Sequence, residues 1–265
     1  SGPNTVIFTF GVMVGTGIGF AYACVTPAAM KWWHPSQKGM VSGLIVGGFA
    51  LGAVYVAPLT KMLVNSYDIH TAFTLLGIGI IIISVSLGLT VVNPPADYKA
   101  SDPKNWDVKA AQTRSNLEVP WRDMIRTRQF YFLFIMFALA SSAGVMLIGN
   151  ITKVAAVQVG LEGAVYLIGL LAVSNAIGRV LGGIFSDKIG RMNTLIFVFI
   201  LQAKNMWFFM EISSETMLIA GAVVGAVCYG SLLSVFPSIT ADYFGLKGYG
   251  ANYGLVYLGR GLLAG

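Results

Sequence analysis

Polar residues in this chain fall into short clusters, separated by long and nearly uninterrupted apolar stretches. Eight such stretches are read, at roughly 5–30, 39–64, 71–92, 130–153, 163–185, 193–211, 216–242 and from 249 onward. An α-helix rises 1.5 Å per residue, so about 20 apolar residues cross the ~30 Å hydrocarbon core of a bilayer. Membrane strands would show alternating runs of about ten residues. Continuous runs predict helices, which satisfy every backbone hydrogen bond internally. The expected fold class is all-α, a polytopic membrane protein.

Composition supports this. The 265 residues are 56% hydrophobic and only 11% charged, against about 25% charged in soluble domains. The net charge of +6 therefore bears on topology. No basic cluster stands on a soluble domain that would track phosphates, so nucleic acid is not an expected partner. Cys24 and Cys228 both lie inside apolar runs and are expected to be free thiols. His34 and His70 lie at loop positions, and no spacing suggests a metal or other cofactor.

Lysines and arginines alternate between loops. Lys31, Lys38, Lys99, Lys104, Lys109, Arg114, Arg122, Arg126, Arg128, Lys188, Arg191 and Lys247 fall on one side, and Asp68, Glu162, Glu211 and Glu215 on the other. The positive-inside rule makes the basic side cytoplasmic, and the expected location is the cell's inner (plasma) membrane. Lys204, deep in the sixth stretch, is expected to snorkel toward the outer surface.

One connection is long. Residues 93–129, with Pro94, Pro95, Pro103 and Pro120, divide three stretches from five. The expected organisation is one helix bundle over 1–92, a central cytoplasmic loop over 93–129, and a second bundle over 130–265. The loop's last part, Trp121 to Arg128, reads either as an interfacial amphipathic helix or as a solvated hinge. Pro27 to Val46 and Pro237 to Val256 share one layout: a helix with proline near its inner end, a Lys-Gly loop, and a glycine-rich helix. Two related bundles are a feature of transporters. The chain opens on Ser1 almost directly into one stretch and stops at Gly265 within another, so the expectation is an internal piece of a longer protein.

Two arginines break the pattern. Arg179 and Arg260 sit in Ala172–Phe185 and Tyr249–Gly265, which contain no acid. A cation at the centre of a membrane helix costs about 2.5–3.5 kcal/mol on insertion scales. At 1.5 Å per residue Arg260 lies about 18 Å from its inner helix end, and Arg179 about 10 Å. A guanidinium offers a planar fork that matches a carboxylate. With no visible intramembrane acid, a ligand is the expected counter-charge. Asn175 precedes Arg179 by four residues, and Tyr257 and Tyr253 precede Arg260 by three and seven, so each shares a face with its arginine. Glycines recur every four residues at Gly11/Gly15/Gly19, Gly43/Gly47, Gly48/Gly52 and Gly178/Gly182, which predicts close helix contacts. Pro27, Pro58 and Pro237 are expected to kink their helices.

Gly183-Ile-Phe-Ser-Asp187-Lys-Ile-Gly190-Arg191 fits G-x-x-x-D-x-x-G-R. Gly190 suits a tight turn. Asp187 can accept from a neighbouring helix N-terminus or pair with Arg191. The pattern resembles the signature loop of the major facilitator superfamily, found between its second and third and between its eighth and ninth helices. On that resemblance the eight stretches are helices 4 to 11 of twelve. The motif is expected to gate conformational change through Gly183, Asp187, Gly190 and Arg191.

A narrower resemblance follows. Lys31-Trp-Trp-His-Pro35 with Lys38-Gly39, then Gly47-Gly48-Phe49 and Gly52, is similar to the helix 4–5 region of the oxalate/formate antiporter family. Phe236-Pro-Ser, Ala241-Asp-Tyr-Phe-Gly245 and Ala251-Asn-Tyr-Gly254 resemble it too. The family binds carboxylates with basic residues on helices 8 and 11, positions that Arg179 and Arg260 occupy here. It walls the site with aromatics from helices 4, 5 and 10, which implicates Tyr22, Tyr55 and Tyr229. Arg260 stands where the oxalate carrier has Lys, Tyr229 where it has Trp, and Leu233 where it has Tyr, which implies a differently shaped pocket.

These readings together predict a secondary transporter of small organic anions, mono- or dicarboxylates, working by alternating access and exchange. It is expected to be a monomer in the lipid bilayer and not an enzyme, since nothing resembles a nucleophile–base pair or a phosphate loop. The alternatives are a proton-coupled monocarboxylate symporter and a non-transporting anion sensor. A channel would need a continuous polar lining, against which the glycine-rich packing argues.

Overall fold

The computed structural model describes residue 5 and residues 7–95, 97–101, 118–164 and 166–262. Each apolar stretch forms a helix. These are α1 (Ile7–Trp32, π-wound over Ile7–Val14), α2 (Lys38–Ser66), α3 (Ile69–Gly88), the single turn α4 (Trp121–Met124), α5 (Arg128–Val154, extended by a π turn over Ala155–Val159), α6 (Tyr166–Ile189), α7 (Arg191–Phe208), α8 (Glu215–Phe244) and α9 (Tyr249–Leu262). Seven are long and apolar enough to cross a membrane, and there is no strand among the described residues. The helix ends bearing Lys31, Lys38, Lys188, Arg191 and Lys247 are called inner below.

Local chemistry sets the helix ends. Asp68 caps α3, accepting from the amides of His70 (2.9 Å) and Thr71 (3.2 Å). The Thr71 hydroxyl bond, chiefly, holds the Asp68 carboxyl below its ordinary pKa. Thr127 and Ser214 cap α5 and α8 in the same way. Gly190, at φ 94°, makes the expected tight turn between α6 and α7, and Gly245, at φ 82°, ends α8. Side chains with a Cβ rarely adopt that conformation.

Helix α8 is the most enclosed span, and α6 lies between it and α2. Glycine allows this. A Cβ on Gly43 would strike the Arg179 carbonyl and Val180, and one on Gly39 or Gly183 would strike the backbone of the facing helix. Gly178, Gly182 and Gly230 hold α6 against α8 in the same manner. The glycine reading therefore holds for Gly43/Gly47 and Gly178/Gly182. Among the described residues a Cβ on Gly11, Gly15, Gly19 or Gly48 would meet nothing within 4 Å, and one on Gly52 would meet the Tyr55 hydroxyl at 3.7 Å. A four-residue glycine repeat marks a smooth helix face but not what covers it. Gly43→Leu is expected to cost about 1–3 kcal/mol by overpacking, and so to lower the thermal midpoint in detergent relative to Gly48→Leu. Equal midpoints would contradict the α2–α6 seam.

Of the two readings of the segment before α5, the continuous amphipathic helix is not what forms. Helical geometry stops at Met124, and Thr127, in extended conformation, caps a new helix. Met124 is fully buried in the main core, so this stretch is anchored rather than lying at an interface. Glu118 accepts from the amides of Leu246 (3.4 Å) and Lys247 (2.7 Å), and the Val119 amide donates to the Phe244 carbonyl (3.0 Å). The start of the long connection is held too: Trp32 Nε1 donates to the Val92 carbonyl and the Tyr98 hydroxyl to the Trp32 carbonyl. Pro103, Lys104, Lys109 and Arg114 lie outside the described residues. Both cysteines are free, and Lys204 is exposed as expected.

Candidate functional site: an arginine pair above an inner latch

Helix α6 carries Arg179 ten residues from its inner end at Ile189, and α9 carries Arg260 eleven residues from Tyr249. At 1.5 Å per residue both cations sit about 15–16 Å deep. From hydropathy alone Arg179 lies nearer the inner end, at about 10 Å, because α6 runs further inward than its hydropathy suggests.

Arg179 is buried, 8% exposed. Its Nε donates to Asn175 Oδ1 (2.8 Å) and an Nη to the Val46 carbonyl of α2 (2.5 Å). The expected i, i+4 partnership is thus present. The Val46 carbonyl was not foreseen, since no sequence spacing reports a backbone acceptor on another helix. Among the described residues the buried Asn175 Nδ2 has no partner, which leaves an amide donor beside the guanidinium.

Arg260 donates from Nε to the Tyr229 hydroxyl (2.7 Å) and from an Nη to the Tyr257 hydroxyl. Its Cζ also lies 5.8 and 5.3 Å from the centroids of these two rings, a cation–π arrangement. Tyr22 of α1 stacks on Tyr253 (6.1 Å), tilts against Tyr257 (6.4 Å) and meets Phe49 edge-on (6.1 Å). A Cβ on Gly230, the neighbour of Tyr229, would strike the Asn175 carbonyl and meet the Arg179 amide, which sets the Arg179 stretch of α6 against this cluster. Arg179, Asn175, Tyr22, Tyr229, Tyr257 and Arg260 therefore come together from four helices. Phe137 and Gly144 of α5 back the site, the first 5.9 Å from Tyr257 and the second against the Tyr229 ring. No sequence signal singled out either residue.

Tyr55 stands apart. It is 66% exposed, and nine residues beyond Val46 put it about half a turn away from the face that meets Arg179. The clefts of about 220 and 360 Å³ also lie elsewhere, beside Gly190–Asn193 and between Trp33, Pro94, Tyr98 and Leu246. The arginine pair is marked by its chemistry rather than by these clefts. Among the described residues neither arginine has an ion pair. Among the described residues each guanidinium is held by neutral oxygens alone, and no carboxylate balances either charge. Such a centre can take an anion with bidentate geometry.

Below it lies a second constellation, at the inner ends. The Asp187 carboxylate accepts from the amides of Gly39 (2.8 Å) and Met40 (2.6 Å) at the start of α2 and is ion-paired with Arg191. Arg191 also bonds Ser186 Oγ (2.7 Å) and Asp242 (2.9 Å), and Lys38 reaches Asp242 at 3.2 Å. Both partners foreseen for Asp187 are present. The link through Lys38 and Asp242 was not foreseen. The helix N-terminus favours the carboxylate, and two acids balance two bases. This latch ties α2 to α6, α7 and α8 and holds the inner ends together. Gly183 and Gly190 serve it by close approach and by turn geometry.

Known proteins place these features in a family. The chain is 27% identical over 95% of its length to an uncharacterised MFS-type transporter of Escherichia coli (strain K12), covering 61% of that protein. It is 26% identical over 96% of its length to the oxalate:formate antiporter of Oxalobacter formigenes, covering 59%. It is 25% identical over 95% of its length to apicoplast pyruvate carrier 1 of Toxoplasma gondii, covering 56%. The chain thus spans about 60% of the length of the curated relatives it matches, in keeping with eight helices of a twelve-helix fold. The family model of the Major Facilitator Superfamily matches residues 1–265, and the chain belongs to this superfamily of multi-pass membrane transporters.

Proposed function

We propose that this chain is the anion-binding part of a plasma-membrane carrier that exchanges small carboxylates by alternating access. The observation that carries this is the arginine pair: two deep cations at one level whose partners among the described residues are all neutral. A carboxylate or dicarboxylate supplies the missing charge, with Asn175 Nδ2 as a further donor. Two relatives are named for carrying such anions, oxalate and formate in one case and pyruvate in the other. The helices of 1–92 and 130–265 act as two bodies, joined by 93–129, that part alternately at either end. No bond is made or broken, and the carrier acts as a monomer.

Exchange follows from electrostatics. Two uncompensated guanidinium groups repel each other in a low-dielectric site, so closing around an empty pair is unfavourable. A bound anion removes that penalty. In proteoliposomes of the full-length protein, uptake of labelled oxalate, formate or pyruvate is expected to rise at least about tenfold when the lumen holds unlabelled anion, equivalent to ~1.4 kcal/mol. Equal uptake with and without internal anion contradicts exchange. Uptake driven by acid outside and abolished by a protonophore would favour proton symport instead. Binding without flux would leave a sensor.

A further inference from the structure

Tyr249, Tyr253 and Tyr257 recur every four residues on α9, and Arg260 follows three residues later. Each four-residue step turns the helix by only about 40° beyond a full turn, so the rings form a column. Their centroids are 5.6 Å apart at both steps. The column runs about 16 Å, from the inner end of α9 to the guanidinium of Arg260.

Its three hydroxyls are not alike. That of Tyr257 is bound by Arg260. Among the described residues those of Tyr253 and Tyr249 have no hydrogen-bond partner, although the residues are only 4% and 1% exposed. A buried hydroxyl without a partner is costly and uncommon. Phenylalanine would fill the same volume without that cost, so packing does not explain two such groups in line.

Helix α1 covers them. Tyr22 stacks on the Tyr253 ring, and a Cβ on Gly250 would come within 2.9 Å of the Ala23 side chain. In the proposed carrier α1 and α9 belong to opposite moving bodies. Parting the inner ends would therefore uncover Tyr253 and Tyr249 directly beneath the anion site.

We propose that Tyr253 and Tyr249 form a hydroxyl ladder, a second and weaker carboxylate subsite that takes the anion from Arg260 toward the inner mouth once α1 moves off α9. It rests on the carboxylate-carrier reading. A neutral donor suits this task. It replaces part of the anion's hydration on leaving the arginines, yet lacks the charge that would trap it, as multi-site passage requires.

The test compares the full-length parent with Tyr253→Phe, Tyr249→Phe and, as a control, Tyr131→Phe on the exposed face of α5. The probe is labelled oxalate, formate or pyruvate, whichever the parent exchanges fastest. Tyr253→Phe is expected to slow maximal exchange roughly tenfold, the weight of one hydrogen bond to a charged group. Equilibrium binding should stay within about twofold, and the thermal midpoint should stay level or rise, because no existing hydrogen bond is lost. Tyr249→Phe should act in the same direction, and Tyr131→Phe should do nothing. Unaltered exchange in both column variants overturns the ladder. So does a loss of exchange that tracks a fall in binding or stability, which would make the hydroxyls part of the arginine site or of the packing. If the parent exchanges no carboxylate, the carrier reading fails and the ladder with it. A parent that exchanges normally beside an unaffected Tyr253→Phe removes the ladder alone.

Discussion

Arg260→Gln and Arg179→Gln are each expected to abolish carboxylate exchange while leaving the empty protein as heat-stable as the parent, or more so. Both effects come from the same feature. Truncating one side of a buried, hydrogen-bonded charge pair costs about 2–5 kcal/mol, roughly thirty- to several-thousand-fold in affinity. In the proposed carrier that pair forms when the anion binds. Without it, each arginine is a desolvated cation held by neutral oxygens: Asn175 and Val46 for one, Tyr229 and Tyr257 for the other. Glutamine keeps an amide donor for those oxygens and removes the charge, so the empty state loses a penalty. A stabilised, inactive protein is the signature of a site built for its ligand. Structural arginines would behave otherwise, and either variant would then melt earlier. Thermal scans alongside counterflow separate the two cases.

Asp187→Asn carries the second large effect. Its carboxylate is fully buried and holds two backbone amides of α2 as well as Arg191. Asparagine preserves the shape but removes one of two acids, leaving Arg191 and Lys38 to share Asp242. Breaking a buried pair from one side costs about 3–5 kcal/mol. A shift of about 5.5 kcal/mol carries a two-state equilibrium from 1:99 to 99:1, so the variant should spend much of its time with the inner ends apart. Spin labels at the exposed positions Lys31 and Lys188 report this directly. The distance between them should lengthen and broaden in Asp187→Asn. Adding Arg191→Gln should restore part of the closed population, because the remaining Lys38–Asp242 pair is electrically balanced. An unchanged distance distribution in the single variant would remove the latch from the account.

The path from sequence to this site was uneven for physical reasons. Local relations were legible. Hydropathy located every long helix, Asn175 and Arg179 share a face by spacing alone, and the D-x-x-G-R turn marked the inner latch with its glycine at φ 94°. Relations between helices were not. The Val46 carbonyl lies 133 residues from Arg179 and is a backbone group, so no side-chain pattern reports it. Lys38 and Asp242 lie 204 residues apart, and each reads alone as an ordinary helix-end charge. Tyr55 lies at the same limit: family likeness names the helix that bears it but not the face that meets the cations, and among the described residues its ring is exposed. The glycine repeats divide along the same line: Gly43/Gly47 have α6 against them, whereas Gly15/Gly19 have no neighbour within 4 Å. Hydropathy also ended α6 too early, because Ser186, Asp187 and Lys188 look like loop while their side chains are held in the latch or lie at the helix end. That shortfall hid the common depth of the two arginines.

Equilibrium binding tests the central claim most directly, with the purified full-length carrier offered a carboxylate and its neutral amide, such as pyruvate against pyruvamide or oxalate against oxamide. The account predicts saturable binding of the carboxylate, little of the amide, and loss of carboxylate binding in both Arg179→Gln and Arg260→Gln. Binding of the amide as tight as that of the acid, or full carboxylate affinity in either glutamine variant, would contradict it.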